Sequence, residues 1–265
     1  MIDVLEDDST TGSPRALIDR PGPQNLVVHD WAAVSVQGRQ RRLNEDSWAQ
    51  VGPVFVVCDG MGGLQQGVQA SADASSYVAS TWLTAEAANP EMIVRAASDR
   101  VRALTKPPGD GGTTLSALKI AHDQATVVHA GDSRVYRIRG SHAELLTRDH
   151  NLRSELLAAG ITPGSSRSQG PLRALTSYLG KRDHELQIDV RSVSLRAGDR
   201  LVLCTDGVFD ELSHGEFSSR CRTGSATNAA RRLTALRSSD DATAVVVDVG
   251  SDHGFDSDTD STAEM

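Results

Sequence analysis

The chain has no apolar run approaching the roughly 20 residues that span a bilayer, and its opening, MIDVLEDDST, is acidic where a signal peptide would be basic and then apolar. A cytoplasmic location is therefore expected. Only three cysteines occur, Cys58, Cys204 and Cys221; they form no CxxC pair, and two of them sit in strand-like surroundings. Reduced, buried thiols are expected, with no disulfide and no thiolate zinc site. Lysine is scarce as well, three against 24 arginines, and the net charge is −8. The acidity is concentrated at the ends: residues 1–25 hold five acids against Arg15 and Arg20, and residues 251–265 hold five acids and no base. The segment between is neutral, so it offers no basic field for nucleic acid or an anionic membrane.

Several signatures are missing too. DGMGGLQ has Gln65 where the last glycine of GxGxxG would stand, and no GxxxxGK[ST] occurs, which excludes the common nucleotide-binding loops. GDSRV has Val135 in place of the second glycine of a nucleophile elbow. No cysteine has arginine six positions on, so a cysteine-based phosphatase loop is absent. The acidic strings DTDST and DSDTDS near the C-terminus lack the strand or the length that an aspartyl-phosphate or EF-hand site needs.

What is present suits one domain of residues 26–250 between mobile tails, 1–25 and 251–265. Strands are predicted at residues 29–36, 54–58, 114–120, 125–130, 134–139, 186–193, 200–204 and 244–249. Helices are predicted at 66–84, 90–104, 152–159 and 227–236. Two consecutive helices followed by hairpin-spaced strands indicate an α+β layered sandwich. The irregular span 149–180 is a candidate flap.

The chemistry lies in acids that share one context. VFVVCDGMGG is an apolar strand that ends in Asp59 beside glycines, and RLVLCTDGVFD repeats the pattern at Asp206. Asp240 and Asp241 open the last strand, and RRLNEDSW supplies Glu45 and Asp46. Carboxylates gathered at sheet ends without a lysine cluster repel one another unless divalent cations hold them. Oxygen ligands without His or Cys favour Mg²⁺ or Mn²⁺ over Zn²⁺.

In order along the chain, RRLNEDS, DGMGG, GGTTLSA, HAGDSRVY, LCTDGVFD and DDATAVVV resemble the metal-dependent Ser/Thr protein phosphatases of type 2C, in their single-domain bacterial form, over about residues 28 to 249. The resemblance implies a four-layer sandwich of two central antiparallel sheets flanked by helix pairs. It implies a phosphatase acting on phosphoserine and phosphothreonine in proteins, substrates of Ser/Thr kinases, by direct attack of a hydroxide bridging two Mn²⁺ or Mg²⁺ ions. Asp59 would bridge the ions, Gly60 would give a carbonyl, Asp206 and Asp240 would complete one ion, and Glu45 would serve the other. Asp46 would orient a water, Arg41 would bind the substrate phosphate, and Asp110 would hold a third, weaker ion. Asp132, Ser133 and Arg134 are expected to tie an inter-strand turn. Met61 stands where many relatives have a histidine, so water is left as the proton donor to the leaving oxygen. The alternatives are a silent phosphoprotein-binding regulator on the same fold and a phosphatase dedicated to one regulatory partner, such as an anti-sigma antagonist.

Overall fold

The computed structural model describes residues 25–63, 65–85, 89–105, 111–163, 170–181, 186–236 and 238–251. Runs of β-branched and aliphatic residues build two antiparallel sheets. One has the spatial order β1 (Leu26–Val36), β11 (Ala242–Ser251), β10 (Arg200–Cys204), β7 (Arg134–Arg139), β8 (His142–Leu145). The other runs β2 (Asp46–Val51), β3 (Val54–Met61), β5 (Leu115–Ala121), β6 (Gln124–Ala130), β9 (Asp189–Ser194), with the short β4 (Gly112–Thr113) also paired to β3.

Alternation along the strands sends neighbouring side chains to opposite faces. Val54 and Val56 of β3 pack with Ala74 and Val78 of α1 (Gln65–Thr84) and with Val94 and Ala97 of α2 (Pro90–Leu104). Phe55 and Val57, one residue out of step, face Leu201, Leu203, Val245 and Val247 of the other sheet. Val202 and Val246 then point outward onto Phe217 of α5 (His214–Arg222) and Ala230 and Leu233 of α6 (Ala226–Thr234). Three apolar interfaces thus separate four layers, as the α+β sandwich requires.

Most predicted strands and helices are present, with ends shifted by a few residues. Three short strands, β2, β4 and β8, and two helices, α4 (Asp206–Phe209) and α5, had no counterpart in the prediction. The flap span contains α3 (Leu152–Ala158) and an isolated bridge from Asn151 to Leu175. Cys58, Cys204 and Cys221 are buried and free. Among the described residues, no helix is long and apolar enough to cross a membrane.

Topology brings the acids together. β2 begins at Asp46, β3 carries Asp59 near its end, β10 gives way to α4 at Asp206, and β11 begins just after Asp240 and Asp241. Val36 pairs with Ala242 and Asp46 with Asp59.

Candidate active site

The end of β3 is held firmly. The N–H of Asp59 donates to Thr114 Oγ1 (2.9 Å), and its carbonyl accepts from the Thr114 N–H (2.9 Å) and the Thr113 hydroxyl (2.9 Å). Thr114 Oγ1 in turn lies 2.6 Å from Ser133 Oγ. The Gly60 N–H donates to the Glu45 carbonyl (3.1 Å). A Cβ on Gly60 would lie 2.3 Å from the Gly67 carbonyl oxygen, and one on Gly67 only 2.0 Å from Glu45 Oε2. Glycine at both positions lets β3, the start of α1 and the segment before β2 meet.

These elements enclose an open cleft of about 240 Å³ lined by Arg41, Glu45, Asp59, Gly60, Asp206 and Asp240, with Met61, Asp132 and Arg173 on its wall. Arg41 Nη2 donates to Asp240 Oδ2 at 2.5 Å. Asp241, by contrast, is buried, and its carboxylate accepts the backbone N–H groups of Gly38 and Glu45, each at 2.8 Å. Adjacent acids therefore have different settings: Asp240 faces the cleft and Asp241 ties the loop before β2 to the start of β11.

Asp46 sits buried behind the cleft wall. Its Oδ2 accepts the hydroxyls of Thr205 (2.8 Å) and Thr243 (2.7 Å). Asp110 lies outside the described residues.

Acid crowding sets the electrostatics. Burial, with the charges of Asp46, Asp206, Asp132 and Asp240, lifts the Asp59 carboxyl well above its usual range. Burial and then Asp240 raise Asp206 to about 7, against Arg173 and Arg41. Burial and then Asp206 raise Asp132 to about 8. At Asp46 burial outweighs the two threonine hydroxyls and brings the carboxyl to about 7. Among the described residues, five acids and two arginines line the cleft, so an anionic substrate would meet net repulsion from these side chains alone.

The donor set fits hard divalent cations. Among the described residues, Asp206 Oδ1 and Asp46 Oδ1 are buried without a hydrogen-bond partner, an arrangement that costs energy unless a cation or proton joins them. Among the same residues, no group of three or more His, Cys, Asp or Glu side chains is arranged to hold a metal ion, and Arg41 engages one oxygen of Asp240. Ion binding at these acids would thus require side-chain movement and the release of that oxygen.

The sequence profile of protein phosphatase 2C matches residues 39–239. The chain belongs to that family. It is 32% identical over 173 residues to protein phosphatase PhpP of Streptococcus pneumoniae, covering 62% of this chain and 70% of the relative. It is 32% identical over 241 residues to the Ser/Thr protein phosphatase PstP of Mycobacterium tuberculosis, covering 84% of this chain and 45% of the relative. The Ser/Thr phosphatase MsPP of Mycobacterium smegmatis, solved with cacodylate, superposes with a TM-score of 0.75 at 31% identity, over 83% of this chain and 98% of that one. The catalytic domain of PstP, solved with two manganese ions, gives 0.70 at 29% identity, over 85% and 99%.

Against this protein phosphatase 2C frame, the sequence reading missed Asp132 and Arg173 as cleft residues. Asp132 directly follows the end of β6 and Gly131, whose φ is 112°. An acid at a strand end beside glycine is the same signal that singled out Asp59 and Asp206. Its neighbours do tie the turn: Ser133 meets Thr114, and Arg134 pairs in two-pronged fashion with Asp149 (2.7 and 2.8 Å) while covering the Phe209 ring. Arg173 had no local signal; it reaches the cleft from the far side of the flap span.

Proposed function

We propose that this protein is a metal-dependent phosphatase that hydrolyses phosphoserine and phosphothreonine in proteins, using two Mn²⁺ or Mg²⁺ ions held by Glu45, Asp59, Asp206, Asp240 and the Gly60 carbonyl. The observation that carries the reading is the convergence of these acids from four strand ends on one cleft that also contains Arg41. When bound, divalent cations acidify a water and offset phosphate charge.

The chain's own residues supply the remainder. Arg41 pairs with Asp240 in the structure; once that carboxylate is engaged elsewhere, its guanidinium fork can grip two phosphate oxygens. Asp46, fixed through one oxygen by Thr205 and Thr243, keeps Oδ1 as an acceptor that can orient a water for in-line attack on phosphorus. The phosphorus–oxygen bond to serine or threonine breaks as water attacks, giving inorganic phosphate and the free hydroxyl. Met61 has no proton to give, so the leaving oxygen must take its proton from another group, with water as the proposed donor. We assign a third, weaker ion to Asp110; Asp132, on the cleft wall, is a further acid that such an ion could engage.

The deciding experiment is turnover of a phosphothreonine peptide with Mn²⁺, with Mg²⁺ and with chelator. Mn²⁺ or Mg²⁺ should support hydrolysis that chelator abolishes. Equal activity in chelator, or peptide binding without phosphate release in any metal, would refute the proposal; the second result would favour the phosphoprotein-binding alternative.

A further inference from the structure

Two further cavities share walls with the cleft, and their linings differ in charge. One, of about 200 Å³, adjoins it through Asp132, Arg173 and Asp206 and adds Asp149 and Asp210, the latter paired with Arg173. The other, of about 380 Å³, adjoins it through Asp240 and lies between the end of β1 and the end of α6. Its walls include Val34, Val36, Leu236 and Ala242, and Arg39 and Arg231 stand exposed on it. Among the described residues, Asp240 is its only acidic lining residue, and that carboxylate is already paired with Arg41. Among the described residues, neither Arg39 nor Arg231 forms an ion pair. Val36 is 41% exposed, a β-branched side chain left partly uncovered beside the two cations.

We propose that this groove is a specificity subsite, and that it receives an apolar residue flanked by acids close to the phosphorylated serine or threonine of the substrate. The proposal rests on the phosphatase reading above and deepens it. The occupant follows from three features. Continuity with the cleft through Asp240 places the groove within reach of residues neighbouring the scissile phosphate. Its apolar walls offer burial to an aliphatic side chain, and its volume falls within the range of about 300–1,000 Å³ typical of ligand sites. Its two unpaired guanidinium groups select carboxylates and disfavour lysine or arginine at the same positions. The opposite cavity, with four acids against three arginines among the described residues, gives an acidic flank no comparable reward. A substrate strand crossing the cleft therefore has a preferred direction, with its acidic and apolar side toward Arg39.

The test uses the full chain with Mn²⁺ and two phosphothreonine peptides. One carries leucine and glutamates beside the phosphothreonine, and the other carries glycine and lysines at the same positions. A small aryl phosphate serves as the reference for chemistry. The parent should favour the acidic peptide about tenfold in kcat/KM, chiefly through KM, and the preference should shrink as salt is raised. Arg39→Glu/Arg231→Glu should abolish or invert the preference while leaving aryl phosphate turnover unchanged; if this double variant folds poorly, Arg231→Gln alone should narrow the preference. Equal kcat/KM for the two peptides in the parent, or a preference that survives in the folded variants, would overturn the subsite. Surviving preference together with loss of self-association in light scattering would assign the groove to a second copy of the chain. Failure to hydrolyse either peptide or the aryl phosphate would instead count against the phosphatase reading.

Discussion

The guanidinium of Arg41 lies 2.5 Å from the carboxylate of Asp240, so the residue proposed to grip substrate phosphate is held by a residue proposed to bind metal. The two partners are 42% and 33% exposed, and an ion pair so open to water contributes only about 0.2–1 kcal/mol. A divalent ion can displace it. If Asp240 holds a metal ion as proposed, that ion and Arg41 would compete for one carboxylate, and the guanidinium would be released for the substrate.

Arg41→Ala should therefore have opposite effects on two measurements. Loss of charge-assisted contacts to phosphate should lower kcat/KM for a phosphopeptide by about 10- to 100-fold. Calorimetric Mn²⁺ titration should show affinity equal to or tighter than the parent's, because the competitor is gone. Weakened metal binding would show that Arg41 organises the acids instead of contacting substrate.

Asp59→Asn should abolish turnover with either ion, since it removes a charge central to the donor set. In chelator, the same variant should be more stable than the parent at pH 8, because the crowded acids lose one member. Thermal melts and steady-state assays on one preparation test both halves. Substantial turnover by the variant would sink the shared-ion assignment.

The raised carboxyls make stability depend on pH in a definite direction. The folded values for Asp46 and Asp206 are about 7 and for Asp132 about 8, against about 3.9 in an unfolded chain. The folded state thus binds more protons than the unfolded one between pH 4 and pH 8, and its stability falls as pH rises through that window. Metal-free protein should show a lower Tm at pH 8 than at pH 5.5. Mn²⁺ should raise Tm more at pH 8 than at pH 5.5. A flat or rising Tm in chelator would contradict the crowding.

Asp240 and Asp241 should separate cleanly on mutation. Asp241→Ala leaves the buried N–H groups of Gly38 and Glu45 without an acceptor, at about 1–3 kcal/mol each, so denaturant titration should show a loss of several kcal/mol. Asp240→Ala should change stability by less than about 1 kcal/mol while weakening Mn²⁺ binding in calorimetry. The reverse pattern would exchange their roles.

Much of this arrangement is legible in the residues. Val54 to Cys58 and Leu201 to Cys204 are apolar enough to read as buried strands, and each is soon followed by an acid beside glycine, so Asp59 and Asp206 stood out. β2 did not, because DSWAQV mixes polar and apolar residues without clean alternation and is half-buried. That omission hid the pairing of Asp46 with Asp59, two like charges directly opposite across a ladder, a costly contact that exists only once the register is known. α5 lacks a strong apolar stripe, yet its Ser213–Glu216 capping box was present as a signal. Arg173 and the groove beside Arg39 depend on long-range packing, for which short spacings hold no information.

The proposed donors come from both sheets: Glu45, Asp46 and Asp59 travel with one, Asp206 and Asp240 with the other. The apolar layer between them, with Phe55 and Val57 against Leu203 and Val245, acts as a gauge block that sets the span any ion must bridge. Mg²⁺ demands near-octahedral oxygens at about 2.0–2.1 Å and tolerates misfit poorly. A methylene added or removed at Leu203 would retune that span from the dry interior. If these acids hold the ions as proposed, ion preference would be partly a property of this hydrocarbon filling, and it could drift while every charged residue stayed the same.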